Sequence, residues 1–464
     1  HYLWVKLHGL LRIAVITYGT LESSDVCSPF TNFIRSFILM KTHNNFDQQF
    51  EFAGNAKTYS LVAIVIGLIC VVLGFVVNHG IYAERTFANL LLMAYYFACV
   101  CMAGIFFCAI QYVAQAGWAI SLLRVPQAFA RTLPVAGVVL VAIIGAGLYF
   151  THPVINEEGK QVVAPYLYKL WALKDVAVKT SPNYDAEIAA KAGYLNLPFF
   201  FIRVIGSLAI YSFFGYLLNK FSTNEDELGG VSNYRKSFNT AAIFLTIFGF
   251  TAPVFAFDVV MSLEAKWFST MFGWYNFAAM WVSGLAAITL VIILLRKKGY
   301  FAWITTDHLH NFGQLIFGFS IFWTYTWFAQ FLLTYYANIP EESVYFYRRW
   351  EPEFKPWFWL NLVMNFALPI LILMSRDSKR TLNVLKYACI VVLLGHWLDY
   401  FIMIMPGSAG PQGAWYLEIG WIEIGVAVGF VGLFTFAILT SLSKFKALAP
   451  KNHPFLEESL HHHI

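Results

Sequence analysis

Charge is what this sequence has least of. Asp, Glu, Lys and Arg make up 12% of its 464 residues, against 59% hydrophobic and 18% aromatic, where a soluble domain carries roughly 25% charged residues. A chain so composed cannot cover a water-facing surface, and its apolar excess is spread over many segments and not gathered into one core. Cysteine is equally uninformative as chemistry. The six are Cys27, Cys70, Cys99, Cys101, Cys108 and Cys389, all but the first inside apolar runs. No CxxC, CxxCH or ferredoxin-type spacing occurs, which argues against covalent haem and iron–sulfur ligation and leaves small apolar packing as their role. Phosphate-cradling glycine loops, metal-ligand clusters and nucleophile arrangements are also missing, so a soluble catalytic role is the weakest reading. The formal charge of +5 needs no nucleic-acid partner.

What is present is length of apolar run. Crossing ~30 Å of hydrocarbon takes about twenty mainly apolar residues as a helix, and ten stretches qualify: 59–77, 87–109, 133–150, 197–217, 240–261, 271–295, 312–335, 358–374, 384–405 and 419–439. The predicted fold is an all-α membrane protein, with a ten-helix transmembrane domain over 59–442, an N-terminal segment over 1–58 and a tail over 443–464. Breaks fall at Asn78-His79-Gly80, the polar stretch 219–236, Arg296-Lys297-Lys298 and the run 406–411. The long connection 152–196 predicts a short surface helix over 166–178. Residues 1–39 carry no cleavable signal pattern and precede Met40-Lys41-Thr42-His43, which reads as an ordinary start.

Lys and Arg crowd one side: Lys41 and Lys57, then Arg124, Arg131, Lys220, Arg235, Lys236, Arg296, Lys297, Lys298, Arg376, Lys379, Arg380, and the tail lysines 444, 446 and 451. The positive-inside rule therefore puts both termini of a multi-pass membrane protein in the cytoplasm.

Ionisable residues inside the spans are functional candidates by default, because a charge in hydrocarbon is costly unless paired or wetted. His396 and Asp399 stand three apart in the ninth run, on one helical face. Asp258 and Glu264 fall at the outer end of the fifth run, and Glu418 and Glu423 at the outer start of the tenth. Proton handling or a place beside a quinone is one reading of Asp258, His396, Asp399 and Glu423; structural polar contacts between helices are the other. Glu264 and Glu418 are placed to reach lipid headgroups. Arg203 is expected to pair with one of these carboxylates, and Lys386 to snorkel to the interface. Of the histidines, His79, His152, His308, His310 and His453 read as loop or tail residues and only His396 as deep, which argues against a bis-histidine haem.

The segment 255–261, Phe-Ala-Phe-Asp-Val-Val-Met, is similar to 396–403, His-Trp-Leu-Asp-Tyr-Phe-Ile-Met. Each is an aromatic-rich helix end with one Asp, four helices apart and so running in the same direction. The repeat predicts two four-helix bundles, spans 2–5 and 6–9, with one flanking helix each.

Two stretches carry a family resemblance: 255–273, FAFDVVMSLEAKWFSTMFG, and 322–330, FWTYTWFAQ, followed by 336–342, YANIPEE. They resemble the NrfD/polysulfide-reductase-type membrane subunits of bacterial alternative complex III, more closely the second, ActF-type subunit, over nearly all of the chain after Met40. The sequence departs from that pattern at Val259, where Trp commonly follows the Asp, and at Ala265-Lys266. The resemblance implies membership of a quinol:cytochrome c oxidoreductase whose electrons travel through haem c and iron–sulfur clusters in other subunits. Those partners would be a sister NrfD-like subunit, an iron–sulfur subunit, and multihaem and monohaem cytochromes c. This chain would bind no redox cofactor, with a quinone or phospholipid as an additional ligand, and would support proton movement or the assembly. A proton-coupled secondary transporter is the competing class. Transporters break helices near midplane beside their substrates, and here the main interruptions, Pro253 and Pro369, appear in the sequence without an adjoining polar cluster.

Overall fold

The computed structural model describes residues 48–77, 81–155, 161–408 and 419–461. The segment 1–39 with Cys27, and the sequence candidates His79 and Glu418, lie outside the described residues. Among the described residues, ten helices are long and apolar enough to cross a membrane. In chain order they are α1 (Asn55–Val76), α2 (Ile81–Val113), α3 (Arg124–Tyr149), α4 (Leu197–Leu228), α5 (Ser232–Val259), α6 (Met271–Lys297), α7 (Thr306–Ala337), α8 (Lys355–Leu373), α9 (Leu382–Ser408) and α10 (Trp421–Leu442). All ten expected spans are present, and the protein is an all-α multi-span membrane protein.

Several helices outrun their apolar stretch. α3 begins at Arg124 because that side chain is fully buried against α4, hydrogen-bonded to Gln127 and Ser222 and paired with Asp226. α4 continues to Leu228, where Gly229 and Gly230 take φ of 66° and 74° and turn the chain into α5. α7 is started by Thr305 with His308 in a reciprocal cap and stopped by Asn338 in the left-handed region.

The helices close into two rings. α2–α5 pack in cyclic order, α6–α9 do the same, and α2 and α6, the two most enclosed helices, join the rings. The two rings are the arrangement the repeat predicts, with Asp258 and Asp399 each on the last helix of their ring, but the expected placing of one flanking helix on each ring is corrected. α1 and α10 form a separate pair against α2 and α3. Their crossing is so close that a Cβ on Gly67 would lie 2.3 Å from the Gly429 Cα, with Gly425 against Cys70 and Gly432 against Ala63. Small residues at such a crossing let backbones meet where no hydrophobic effect drives them together. Gly429→Leu is therefore expected to separate α1 from α10 and lower the thermal midpoint in detergent, while Gly206→Leu, where a Cβ meets nothing within 4 Å, leaves it unchanged.

One sequence expectation fails here. Residues 166–178 form turns and not a surface helix: Tyr168 and Asp175 have φ of 57° and 59°, which no right-handed helix accommodates. The connection instead holds an antiparallel hairpin, β1 (Thr151–Ile155) and β2 (Gln161–Pro165), and a short helix Ala186–Lys191. The tail packs back on the helices. Leu448 N–H donates to Gln48 O at 3.1 Å, and the short helix Leu456–Leu460 brings Ser459 Oγ to Trp118 O at 2.8 Å and to Ser121 Oγ at 2.9 Å. The segment before α1 and the tail thus meet on one side of the protein, called below the tail side.

Candidate functional site

A carboxylate withdrawn from water needs a counter-charge or several donors. Three of the sequence candidates have an arginine. Asp258, 1% exposed, accepts from Arg203 Nε and Nη2, both at 2.8 Å, so the expected partner of Arg203 is this one. Tyr194 and Phe199 flank the same guanidinium at 3.7 and 4.2 Å. Glu423 accepts from Arg85 Nε and Nη2, both at 2.6 Å, from Asn89 at 2.7 Å and from Gly420 N–H at 2.9 Å. Glu264 does not face outward as expected: it is buried, and Arg349 reaches it at 2.7 Å from a helix, Pro340–Trp350, that packs on α7 and α8. Arg349 also donates to the carbonyls of Tyr345, Ile402 and Met403 and lies 3.3 Å over the Tyr345 ring. Burial opposes its charge, but the Glu264 carboxylate outweighs this and holds the guanidinium above its usual range.

Asp399 is different. It is fully buried, and among the described residues no lysine or arginine reaches it. Its donors are neutral, one from each of the other three helices of its ring: Tyr275 of α6 to Oδ1, Trp323 Nε1 of α7 to Oδ2 at 2.9 Å, and Asn361 Nδ2 of α8 to Oδ1 at 2.9 Å. His396 Nδ1 stands 3.6 Å from Oδ2, beyond a hydrogen bond. Among the described residues both ring nitrogens of this buried histidine lack a hydrogen-bond partner, and the Trp323 indole packs edge-on to its ring at 5.6 Å. An ionisable pair with unused capacity, enclosed by four helices, can take or give a proton; the three arginine-paired carboxylates have their charge already matched.

The α8 contribution depends on a break in that helix. Pro369 has no N–H for the Asn365 carbonyl, and the turn before it widens over Val363–Ala367, Leu368 N–H donating five residues back to Val363. The wide turn directs both Asn361 and Asn365 inward, Asn365 Nδ2 donating to Asn361 Oδ1 at 2.6 Å and its own Oδ1 lying against Gly395 of α9. The expectation that Pro369 stands apart from polar groups is thereby corrected. His308 and His310 are also corrected. They are buried in the first turn of α7 and not in a loop. Lys386 lies over the Tyr387 ring at 4.1 Å. Among the described residues no three His, Cys, Asp or Glu side chains converge as a metal site.

From Trp323 an aromatic stack runs along α7 through Trp327, Phe331 and Tyr335, with centroid steps of 6.4, 5.9 and 5.8 Å. It ends at a cavity of about 380 Å³ lined by Phe331, Thr334, Asn338, Phe346 and Trp350 among others, on the side away from the tail. On that same side Lys169 meets Glu84 and donates to Ser408 O at 3.0 Å, and burial pulls its ammonium down to about 7.

No protein-family model matches this sequence, and no curated protein matches it. The chemistry of the site therefore stands on its own geometry. Sequence reasoning missed Tyr275, Trp323, Asn361, Asn365, Arg85 and Arg349. Asn361 and Asn365 were the detectable ones, since two amides four apart in an apolar run must share an inward face.

The docked tail carries a pH dependence. His453 is buried among the rings of Tyr112, Tyr234 and Phe455 at 5.8, 5.3 and 5.9 Å, and burial, then the nearby Arg124, pushes its imidazole down to about 3. Because the released histidine binds a proton near 6.5 and the docked one does not, docking is at full strength above that pH. It is expected to weaken by about 1.4 kcal/mol per unit as pH falls toward 3. Amide hydrogen exchange over 443–461 at pH 7.5 and 5.5 would read this as roughly tenfold less protection, an effect that His453→Phe should abolish.

Proposed function

We propose that this chain is a membrane subunit of a respiratory quinol:cytochrome c oxidoreductase of the alternative complex III type, in a bacterial inner membrane with both termini cytoplasmic. In this reading it holds no redox centre. Haem c and iron–sulfur clusters belong to the partner subunits, and the chain relays protons and helps hold the assembly, with quinone or phospholipid as an additional ligand. The resemblance of 255–273, 322–330 and 336–342 supports the family. Asp399 carries the proton role: it is the candidate carboxylate with neutral donors only, beside a histidine with both nitrogens unused.

A proton would pass between Asp399 Oδ2 and His396 Nδ1 after a small rotation of the imidazole closes their 3.6 Å gap. Tyr275, Trp323 and Asn361 would hold the carboxylate in place in either state. Measured on the intact complex, Asp399→Asn is expected to cut proton release per quinol oxidised by at least half while electron transfer continues. Unchanged coupling in both Asp399→Asn and His396→Gln would leave the chain a scaffold.

One observation favours a second reading, a proton-coupled secondary transporter. The interrupted α8 does border a polar cluster, as transporter helices do at their substrate sites. Extraction in mild detergent separates the two: co-migration with haem-bearing partners supports the respiratory subunit, and a chain that runs alone supports the transporter.

A further inference from the structure

Among the described residues, a second group of buried polar atoms without a hydrogen-bond partner lies away from Asp399. It lies at the tail-side end of the α2–α5 ring and comprises both carboxylate oxygens of Glu225, the hydroxyls of Tyr112, Tyr234 and Ser237, Nε of Arg124 and Nε2 of His453. These come from four helices and the tail. The Tyr112, Tyr234 and His453 rings lie 5.3–6.2 Å apart. Arg124 is tied to Ser222, one turn from Glu225 on α4, at 3.1 Å, and Glu225 is within electrostatic reach of Arg124, Tyr112 and Tyr234.

The charges do not balance by pairing. Arg124 is taken up by Asp226, the residue after Glu225, so one guanidinium faces two carboxylates. Glu225, Ser237 and Arg124 are each 0% exposed, and a cluster of donors and acceptors shut off from bulk solvent is the setting in which proteins keep internal water. The tail packs against this cluster. His453 and Phe455 cover the Tyr234 ring, and the tail is fastened beside Glu225 by Lys451 N–H to Asp226 Oδ1 at 3.0 Å and Asn452 Nδ2 to Asp226 O at 2.8 Å.

We propose that tail residues 451–455 close a water-holding chamber in which Glu225 exchanges a proton with the aqueous phase on the tail side. The ligand is water. The proton moves between the water network and the Glu225 carboxyl, and no other bond changes. The inference does not depend on the role of Asp399, which lies in the other ring.

Two measurements on the full chain test it. A Ser237→Cys reporter is treated with a small charged methanethiosulfonate, with the chain lacking the reporter as background. It should label slowly with the tail intact, at least tenfold faster with His453→Ala, and near the intact rate with His453→Phe, which keeps a ring in place. In infrared difference spectra of otherwise unmodified protein, Glu225→Gln should remove one carboxylic-acid band that shifts in heavy water, and His453→Ala should speed that shift. Equal labelling rates for His453→Ala and the intact tail would overturn the lid. A Glu225→Gln spectrum without a lost exchangeable band would overturn the proton site.

Discussion

Arg203→Met is expected to destabilise the protein by about 3–5 kcal/mol, the usual cost of leaving one half of a buried ion pair uncompensated. Asp258 is 1% exposed and both its oxygens are bound by this one guanidinium. Methionine replaces the aliphatic stem and some of the packing between Tyr194 and Phe199, so the loss isolates the charge more than the volume. The double variant Arg203→Met with Asp258→Asn should recover most of the loss, because an amide beside a thioether leaves a polar group and not a charge. Unfolding of the purified chain in detergent, followed as a denaturant midpoint, measures both. A single-variant loss below about 1 kcal/mol would mean that Asp258 is not held as an anion, and would return it to the set of proton-handling candidates.

The spans were legible because composition alone decides them: a run of twenty apolar residues has one low-energy fate in lipid. The division into two rings was legible from one internal similarity, Asp258 against Asp399. The differences between those two aspartates were not. The similarity hides that α4 supplies Arg203 to the first, whereas the corresponding helix α8 supplies Asn361 to the second. Which partner meets which carboxylate is a matter of helix rotation and crossing, and a hydropathy pattern carries no register between helices. Arg349 was hidden for the same reason. It lies in a polar connection that reads as exposed, yet folds back so that its guanidinium becomes one of the largest fully buried side chains. His453 and Glu225 were invisible because a polar tail and a polar helix end are ordinary until they are found packed on each other.

Arg349→Met should have the larger effect of the two arginine replacements, at or above the upper end of the same ~3–5 kcal/mol range. Arg203 serves one carboxylate and one carbonyl, whereas Arg349 serves Glu264 and the carbonyls of Tyr345, Ile402 and Met403. Removing it leaves a buried charge and exposes acceptors that cost about 1–3 kcal/mol each when unpaired. Two of those carbonyls belong to α9, one turn beyond Asp399, so the variant also loosens the helix that holds the proposed proton site. A loss of proton coupling in Arg349→Met would therefore be ambiguous on its own. The pairing with Glu264→Gln resolves it. If the double variant regains stability but not coupling, the α9 carbonyl contacts matter for function beyond the ion pair. If it regains both, Arg349 acts only by neutralising Glu264. Trypsin cleavage after Arg348, in the helix that Arg349 anchors, would report the release of that helix independently of any activity.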